Sequence, residues 1–415
     1  MQNYNRATRY LEKSNPEKAI QFFRRQLREH EFKECWLNMG NAYRLVGNDQ
    51  QALACFIKAN APETPFLNGG FGSYDYALGN IGLMHYIHGD DDGAIAYYTA
   101  ALEKSPLHFD SIWNYSTALL RKHCSLETVD VTSAWQMYEY RFRRTTATPV
   151  DCTIPRWNGV TSGRSIVVLA EQGLGDKLMW GRYVQCLQAY FQEVWVQCPA
   201  TLHEVFAEFK TCENVLESTA ETSIPICSLA SVFPPQPANW LQHRYGVREF
   251  AGTKLKIGIE WAGSTTHSNN RYRSTLPAYF LPLLKHADLY SLRPDAAPVR
   301  GVTALNCDSW KTTAEAINGL DLVISVDTSV VHMCGSIGKP CWLLQPIKET
   351  DFRWGNNAMN ENNIWYPTVK VIRNPGNWDA VFKTVLEKIQ TLELQNWKNT
   401  MQALTGSLHA HSIKT

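Results

Sequence analysis

The chain has 415 residues, with 40 lysines and arginines against 39 aspartates and glutamates, a formal net charge of +1 and 44% hydrophobic residues. That length supports two or three domains with proper cores, and the even charge balance supplies no global field for nucleic acid or an anionic membrane surface. Apolar runs such as Leu322-Val-Ile-Ser-Val326 are far too short to span a bilayer, and the polar opening Met1-Gln-Asn-Tyr-Asn-Arg6 has no signal-peptide core, so a cytoplasmic protein without membrane insertion is expected. The 11 cysteines are scattered and form no Cys-x-x-Cys pair, which reads as reduced core thiols and gives no metal-ligand spacing.

In chain order, the first third repeats itself. Ala19, Ala52, Ala94 and Ala134 recur at intervals of 33, 42 and 40 residues in helical surroundings. The second unit carries Trp36, Gly40, Tyr43, Gly47, Ala52, Phe56 and Ala59, and the third carries Gly82, Gly89, Ala94, Tyr98, Ala101 and Pro106. This alternation of large and small residues matches the tetratricopeptide pattern, in which two antiparallel helices interlock. The resemblance covers roughly residues 4–145 and weakens in the outer two units, as capping repeats do. The longer third interval is filled by residues 66–73, an inserted loop or an extended first helix. Such an array presents a surface to a peptide or partner protein, or else serves as a rigid spacer or self-association face, which leaves room for a homo-oligomer. Asp90-Asp-Asp92 offers two readings, a metal-holding Asp-x-Asp or a helix N-terminal cap, and its place before the alanine helix favours the cap.

Thr145-Thr-Ala-Thr-Pro-Val-Asp151 and Pro155-Arg-Trp-Asn-Gly159 read as a linker. Beyond it, short β-rich runs at 166–169, 194–197, 225–229, 256–261, 289–292, 321–326, 341–344 and 369–372 alternate with helical stretches, the signature of parallel sheets with crossover helices. The proline cluster at 234–237 splits the run. The expected architecture is a helical solenoid over 1–150, one Rossmann-like lobe over 151–250 and a second over 251–415. An amphipathic helix is expected over 378–394, with a frayed tail from Thr405.

The chemistry concentrates where strands end. Glu171-Gln-Gly-Leu-Gly-Asp176 joins the strand 166–169 to a helical run through a turn with Gly173 and Gly175, which places backbone N–H groups and a helix N-terminus at the carboxyl end of a strand. Asp176 in the first turn points into that crevice or serves as a partner to the helix dipole. In the second lobe, the loop after 256–261 carries His267, Arg271 and Arg273 among hydroxyls, and paired guanidinium groups suit a diphosphate. Asp321-Leu-Val-Ile-Ser-Val326 then runs into Asp327, Thr328 and Ser329 at a helix start, a place for an anion or a simple N-cap. His332 lies about one turn further in, as a ligand contact or a satisfied core histidine. Arg353 and Trp354 sit at the cleft rim after 341–344, where the arginine meets phosphate and the tryptophan stacks on a ligand, or where the tryptophan is buried beside a surface arginine.

Taken together with Glu139-Tyr-Arg141, Gly258-Ile-Glu-Trp-Ala-Gly263, Gly338-Lys-Pro340, Asp351-Phe-Arg-Trp354 and Trp365-Tyr-Pro367, these segments resemble glycosyltransferase family 9, the heptosyltransferase-like proteins, and in particular bacterial chains in which such a domain follows tetratricopeptide repeats. The resemblance implies a GT-B fold and inverting, metal-independent transfer from a nucleotide-sugar, with no cofactor. It makes Asp176 the general base and Arg273, with Arg271, the neutraliser of the leaving diphosphate. It also implies that Asp327, Thr328, Ser329 and His332 hold the donor, with Glu171, His267, Arg353 and Trp354 as further candidates. The chain departs from the family at Asn270, where an acid is usual, and at Arg293, where a glutamine is usual.

The function expected from the sequence is sugar transfer to a Ser or Thr hydroxyl of a polypeptide presented by the repeats. The competing expectations are a saccharide or lipid-carrier acceptor and a non-catalytic scaffold that keeps the fold.

Overall fold

A computed structural model describes residues 1–125, 128–144, 153–252, 254–267, 269–293, 297–346, 348–357 and 360–391. The linker expected at 145–151, residues 392–394 of the expected last helix and the tail from Thr405 lie outside the described residues. The chain divides into two compact units, Met1–Pro149 and Val150–Thr415.

The first unit is built from helix pairs: α1 (Gln2–Glu12) with α2 (Pro16–Glu29), α3 (Lys33–Leu45) with α4 (Asp49–Asn60), α5 (Asp75–Ile87) with α6 (Asp91–Lys104), and α7 (Phe109–Cys124) with α8 (Val131–Tyr138). The recurring alanines mark the second helix of each pair, and each such helix opens four residues earlier on a side-chain cap. Asn15 accepts from Lys18 N at 3.2 Å, Asn48 from Gln51 N at 3.2 Å, Asp90 from Gly93 N at 2.9 Å and Asp130 from Ser133 N at 3.1 Å. Just before three of these caps the chain turns through the left-handed region at Ser14, Gly47 and Gly89, with φ of 53°, 79° and 84°. The glycines take this conformation without the Cβ penalty and end the first helix of the pair.

The acidic triplet follows the capping reading. Asp90 caps α6, Asp91 accepts from Arg121 Nε at 2.7 Å, and Asp92 pairs with Lys122 at 2.6 Å. Residues 66–73 form a loop between α4 and α5 and do not extend a helix. Within the two middle pairs an aromatic ring fills the hollow of a glycine. A Cβ on Gly40 would stand 2.5 Å from Phe56 Cε1, and one on Gly82 would stand 2.8 Å from Tyr98 Cε1.

The second unit holds two parallel sheets. The first comprises β1 (Gly163–Leu169), β2 (Phe191–Gln197), β3 (Lys210–Cys212) and β4 (Thr222–Pro225) in the order β3-β2-β1-β4. The second comprises β5 (Leu255–Glu260), β6 (Ala287–Ser291), β7 (Val302–Ala304), β8 (Leu322–Val326), β9 (Cys341–Leu344) and β10 (Val369–Ile372) in the order β10-β9-β8-β5-β6-β7. Counted within each sheet these are the orders 3-2-1-4 and 6-5-4-1-2-3, the doubly wound arrangement. A helical solenoid followed by two Rossmann-like lobes is therefore the architecture, as the sequence pattern indicated.

Helices α9 (Leu174–Trp180), α10 (Leu229–Val232), α11 (Asn270–Arg273), α12 (Trp310–Gly319), α13 (Ser329–Ile337) and α14 (Trp378–Thr391) connect the strands or close the unit. β5 and β8 are buried along their apolar length, with Ile257, Ile259, Ile324 and Val326 at 0% exposure, which is why they read as continuous apolar runs. Burial also pushes the Cys198 thiol up to about 12, leaving it unreactive at neutral pH.

Three expectations are corrected. The strand expected at 225–229 ends at Pro225, and residues 226–232 are helical turns. A short apolar run with a proline does not distinguish a buried strand from a buried turn. The strands β3 and β7 went unread because each has only three residues. Residues 155–157 are not linker: Trp157 N donates to Ser223 O at 2.8 Å, Ser223 N donates to Pro155 O at 2.8 Å, and the Trp157 ring is packed against Tyr190 and Phe191. They extend the β4 edge of the first sheet.

Gly40→Ala tests the interlocking. Alanine favours a helix over glycine by about 1 kcal/mol, but the ring of Phe56 is fully buried and has no room to retreat, so overpacking of about 1–3 kcal/mol dominates. The variant is expected to unfold at lower urea concentration than the parent, and equal or higher stability would show that the ring adapts.

Candidate functional site

In a doubly wound sheet a crevice opens where the strand order reverses, outside the carboxyl ends of the strands. In the first sheet that point lies between β1 and β4. β1 ends at Leu169, and the loop to α9 turns through Gln172 at φ 55°. The left-handed residue is thus a glutamine, while Gly173 is extended and caps α9. The loop is fastened from three sides. Asp176 Oδ2 accepts from Gly173 N at 2.9 Å, and Glu171 Oε1 accepts from Cys227 N at 2.9 Å, which ties the ends of β1 and β4 together. The buried Lys177 ammonium donates toward the carbonyls of Glu171, Gln172 and Gly173 at 3.4, 3.4 and 3.3 Å. Burial lowers the Lys177 pKa from its ordinary value.

In the second sheet the reversal lies between β5 and β8. After β5 the chain passes Gly263, makes the single turn α11 and returns with Thr275 N donating to Trp261 O at 2.8 Å. Arg273 lies flat against Gly263, where a Cβ would meet its Nε at 2.5 Å, and its Nη1 donates to the Asp327 carbonyl at 3.0 Å. Its Nε is buried without a hydrogen-bond partner among the described residues. Asn270 accepts from the Ser274 hydroxyl at 2.7 Å, and Ser274 accepts from Gly263 N at 3.1 Å, so this residue shapes the loop. Arg293 Nη1 donates to the buried Glu260 carboxylate at 3.1 Å and also to the Ala262 carbonyl. After β8, Thr328 caps α13 by accepting from Val330 N at 3.3 Å, with Ser329 following it.

These two crevices meet. A Cβ on Gly175 would stand 2.6 Å from His332 Cδ2 and 3.5 Å from the Ser329 Cα, so α9 and α13 approach each other N-terminus to N-terminus only because residue 175 is glycine. Further along, Ser336 Oγ donates to Leu178 O at 3.2 Å, Trp240 Nε1 donates to the same carbonyl at 3.1 Å, and Arg182 Nη1 donates to Trp365 O at 3.0 Å. At the mouth, Arg353 bridges carboxylates. Its Nη1 donates to Asp351 Oδ2 at 2.6 Å, and its Nη2 donates to Asp176 Oδ1.

The surroundings set the charges. Burial raises the Asp176 pKa even with Arg353 beside it, and burial together with the nearby Asp351 pushes Asp327 up to about 6 against the pull of Arg273. Burial, with Arg353 and Arg182 close by, holds His332 well below its ordinary value, so it is neutral at pH 7 with Nδ1 3.1 Å from the Tyr366 hydroxyl. His267 is lowered by burial and then by Arg273.

The structure therefore brings Asp176, Arg273, His267, Asp327, Thr328, Ser329, His332 and Arg353 into one region. Arg271 does not join it: this residue is exposed, with its guanidinium over the Tyr272 ring at 4.7 Å. Trp354 is not a stacking platform at the rim; it is 1% exposed and packs on His332 at 5.2 Å between ring centroids. Glu171 is engaged in joining strands, and the Gly173 N–H is already taken by Asp176. Sequence reasoning gave no role to Lys177, Tyr366 or Asp351. Asp351 and Tyr366 stand inside the segments 351–354 and 365–367 already singled out, whereas nothing local marks Lys177. Among the described residues there is no group of three His, Cys, Asp or Glu side chains placed to hold a metal, and no helix is long and apolar enough to cross a membrane.

No protein-family model matches the chain, and no curated protein matches it significantly. Solved structures that are similar include MamA, at 18% identity and a TM-score of 0.28 over 33% of this chain and 73% of that one. YrrB, described as a TPR protein with an unusual peptide-binding site, aligns at 17% identity and a TM-score of 0.26 over 33% and 65%. A mutant of the Thermobaculum terrenum O-GlcNAc transferase aligns over 99% of this chain and 96% of that one, at 12% identity and a TM-score of 0.35. At such scores these likenesses decide nothing about the site.

The raised Asp327 pKa has a thermodynamic consequence. The folded protein keeps this proton up to about pH 6, whereas an unfolded chain releases it near the ordinary aspartate value of 3.8, so between those values the folded state binds more protons and loses stability as pH rises. Asp327→Asn carries no such charge. The melting temperature of the variant relative to the parent is expected to increase from pH 4 to pH 6 and then level off, and a flat difference would show that Asp327 ionises normally.

Proposed function

We propose that the chain transfers a sugar from a nucleotide-sugar to a Ser or Thr hydroxyl of a polypeptide, with inversion and without a metal ion. The observation that carries this reading is the convergence of a carboxylate and an anion site from two sheets: Asp176 at the end of β1, and Arg273 with the N-terminus of α13 at the strand-order reversal of the second sheet.

In this reading the acceptor hydroxyl gives its proton to Asp176 as its oxygen attacks the anomeric carbon. The bond from that carbon to the diphosphate breaks on the opposite face, and its electron pair stays on the leaving oxygen. Arg273 and the N–H groups that open α13 stabilise that charge, the task a metal ion performs elsewhere. The raised pKa of Asp176 suits a group that must take up a proton. The products are a glycoside, a nucleoside diphosphate and a protonated Asp176, which then loses its proton to solvent. A polypeptide acceptor is favoured by the helical repeats, whose paired helices form the kind of surface that holds extended peptides. A saccharide or lipid-carrier acceptor would leave the same two-lobed site and change only the role of the repeats.

The test is nucleotide release by the purified chain from ADP-, GDP-, UDP- and dTDP-sugars, with and without EDTA. Release that survives EDTA and falls by about 10²–10⁴ in Asp176→Asn is expected, the size of a lost general base. Silence with every donor, and no thermal shift on adding them, would instead leave a scaffold that has kept the fold.

A further inference from the structure

We propose that Arg353 is a positioning residue that holds Asp176 for proton transfer, and that Asp351 in turn fixes Arg353. This rests on Asp176 acting as the base. The arginine was a candidate phosphate contact from sequence, but its guanidinium is turned to carboxylates. Nη2 donates to Asp176 Oδ1, while Asp351 accepts from both Arg353 Nη1 at 2.6 Å and Arg353 N at 2.9 Å. The guanidinium lies against the rings of Phe352 and Trp180, 4.7 and 5.6 Å from their centroids, and the Arg353 carbonyl accepts from Asn363 Nδ2 at 2.7 Å. Its side chain is 7% exposed. A planar fork that gives one N–H to Asp351, on a residue whose backbone N–H is also held by Asp351, presents its other side in a fixed direction, which a flexible ammonium does not do.

The carboxylate is correspondingly oriented. Oδ1 takes Arg353 and Oδ2 takes Gly173 N, so each oxygen keeps a further lone pair for the acceptor proton. Because Asp176 follows β1 and Arg353 follows β9, the base is set only when the two sheets are seated together. The charged or titratable groups around Asp176 are Glu171 and Lys177 on its own loop and helix, Asp351 and Arg353 on the turn after β9, Asp327 and His332 from β8 and α13, and His267 and Arg273 from the loop after β5. Arg353 donates directly to the carboxylate; Asp351 opposes its ionisation.

Opposite signs follow for the two partners. In Arg353→Gln the acid limb of the kcat/KM profile is expected to move up by about one unit or more, the effect of losing an adjacent cation. In Asp351→Asn it is expected to move down, while kcat falls because the fork is loosened. The donor KM should stay within about threefold of the parent in both, as expected when uniform donor binding is untouched. The ¹³C shift of the Asp176 carboxyl, assigned by its loss in Asp176→Asn, reads the same displacements without turnover. An unmoved limb with a donor KM raised tenfold or more in Arg353→Gln would make Arg353 a phosphate contact and overturn the proposal. Unmoved limbs and an unmoved carboxyl titration, with only a lower melting temperature, would reduce it to a structural residue. Full turnover in Asp176→Asn would overturn the base and this role together, whereas an inactive Asp176→Asn with unmoved titrations overturns the role of Arg353 alone.

Discussion

The close approach of α9 and α13 is the constraint on which the second unit depends. Two helix N-termini carry partial positive charge and would not by themselves be drawn together. Here the missing side chain at Gly175 lets His332 lie against the backbone, and burial keeps that imidazole neutral, so no third positive charge is added at the junction. Carboxylates supply the compensating charge. Asp176 stands in the first turn of α9, and Asp327 stands just before α13. The same acids that make the junction electrostatically tolerable are thus the acids available for chemistry, and burial raises the pKa of both.

The parts legible in the sequence were the local ones. A cap at Asn15, Asn48, Asp90 or Asp130 and an alanine four residues later lie within one helical turn of each other, so the repeat shows without any knowledge of the fold. The apolar strands β5 and β8 were equally plain, because burial on both faces removes alternation. What failed was whatever needed a distant partner. Residues 155–157 look like linker until Ser223 pairs with them, and residues 226–229 look like strand until Cys227 N is seen donating to Glu171 from a helical turn. At the site, the importance of Gly175 was visible but its reason was not: the residue that takes the left-handed conformation is Gln172, and the glycine is needed for a histidine far along the chain. The pairing of Asp176 with Arg353 joins residues 177 positions apart, and no local pattern encodes it.

Asn270 and Arg293 are also explained by their own contacts. Asn270 accepts from a hydroxyl inside its own loop, a task an amide oxygen performs as well as a carboxylate. Arg293 lies beside Glu260, whose buried carboxyl group is raised by desolvation and stabilised by Ala262 N and by Arg293 itself. A glutamine there would leave that acid without a cation. The two residues are therefore a matched pair at the ends of β5 and β6, and the arginine is understood through its partner.

The charges also divide the site into two halves. On one side Arg353 is committed to Asp351 and Asp176, and its charge is spent on them. On the other, Arg273 meets a backbone carbonyl, keeps a buried Nε without a partner among the described residues, and stands near the N–H groups that open α13. The carboxylates of Asp176 and Asp351 crowd the first side, whereas on the second Arg273 faces the buried Asp327. A hydroxyl that must lose a proton needs the first. In the proposed transfer the diphosphate lies toward β5 and β8 and the reacting carbon toward Asp176. In that proposal the occupied guanidinium of Arg353 serves the base, and that of Arg273 serves the leaving group.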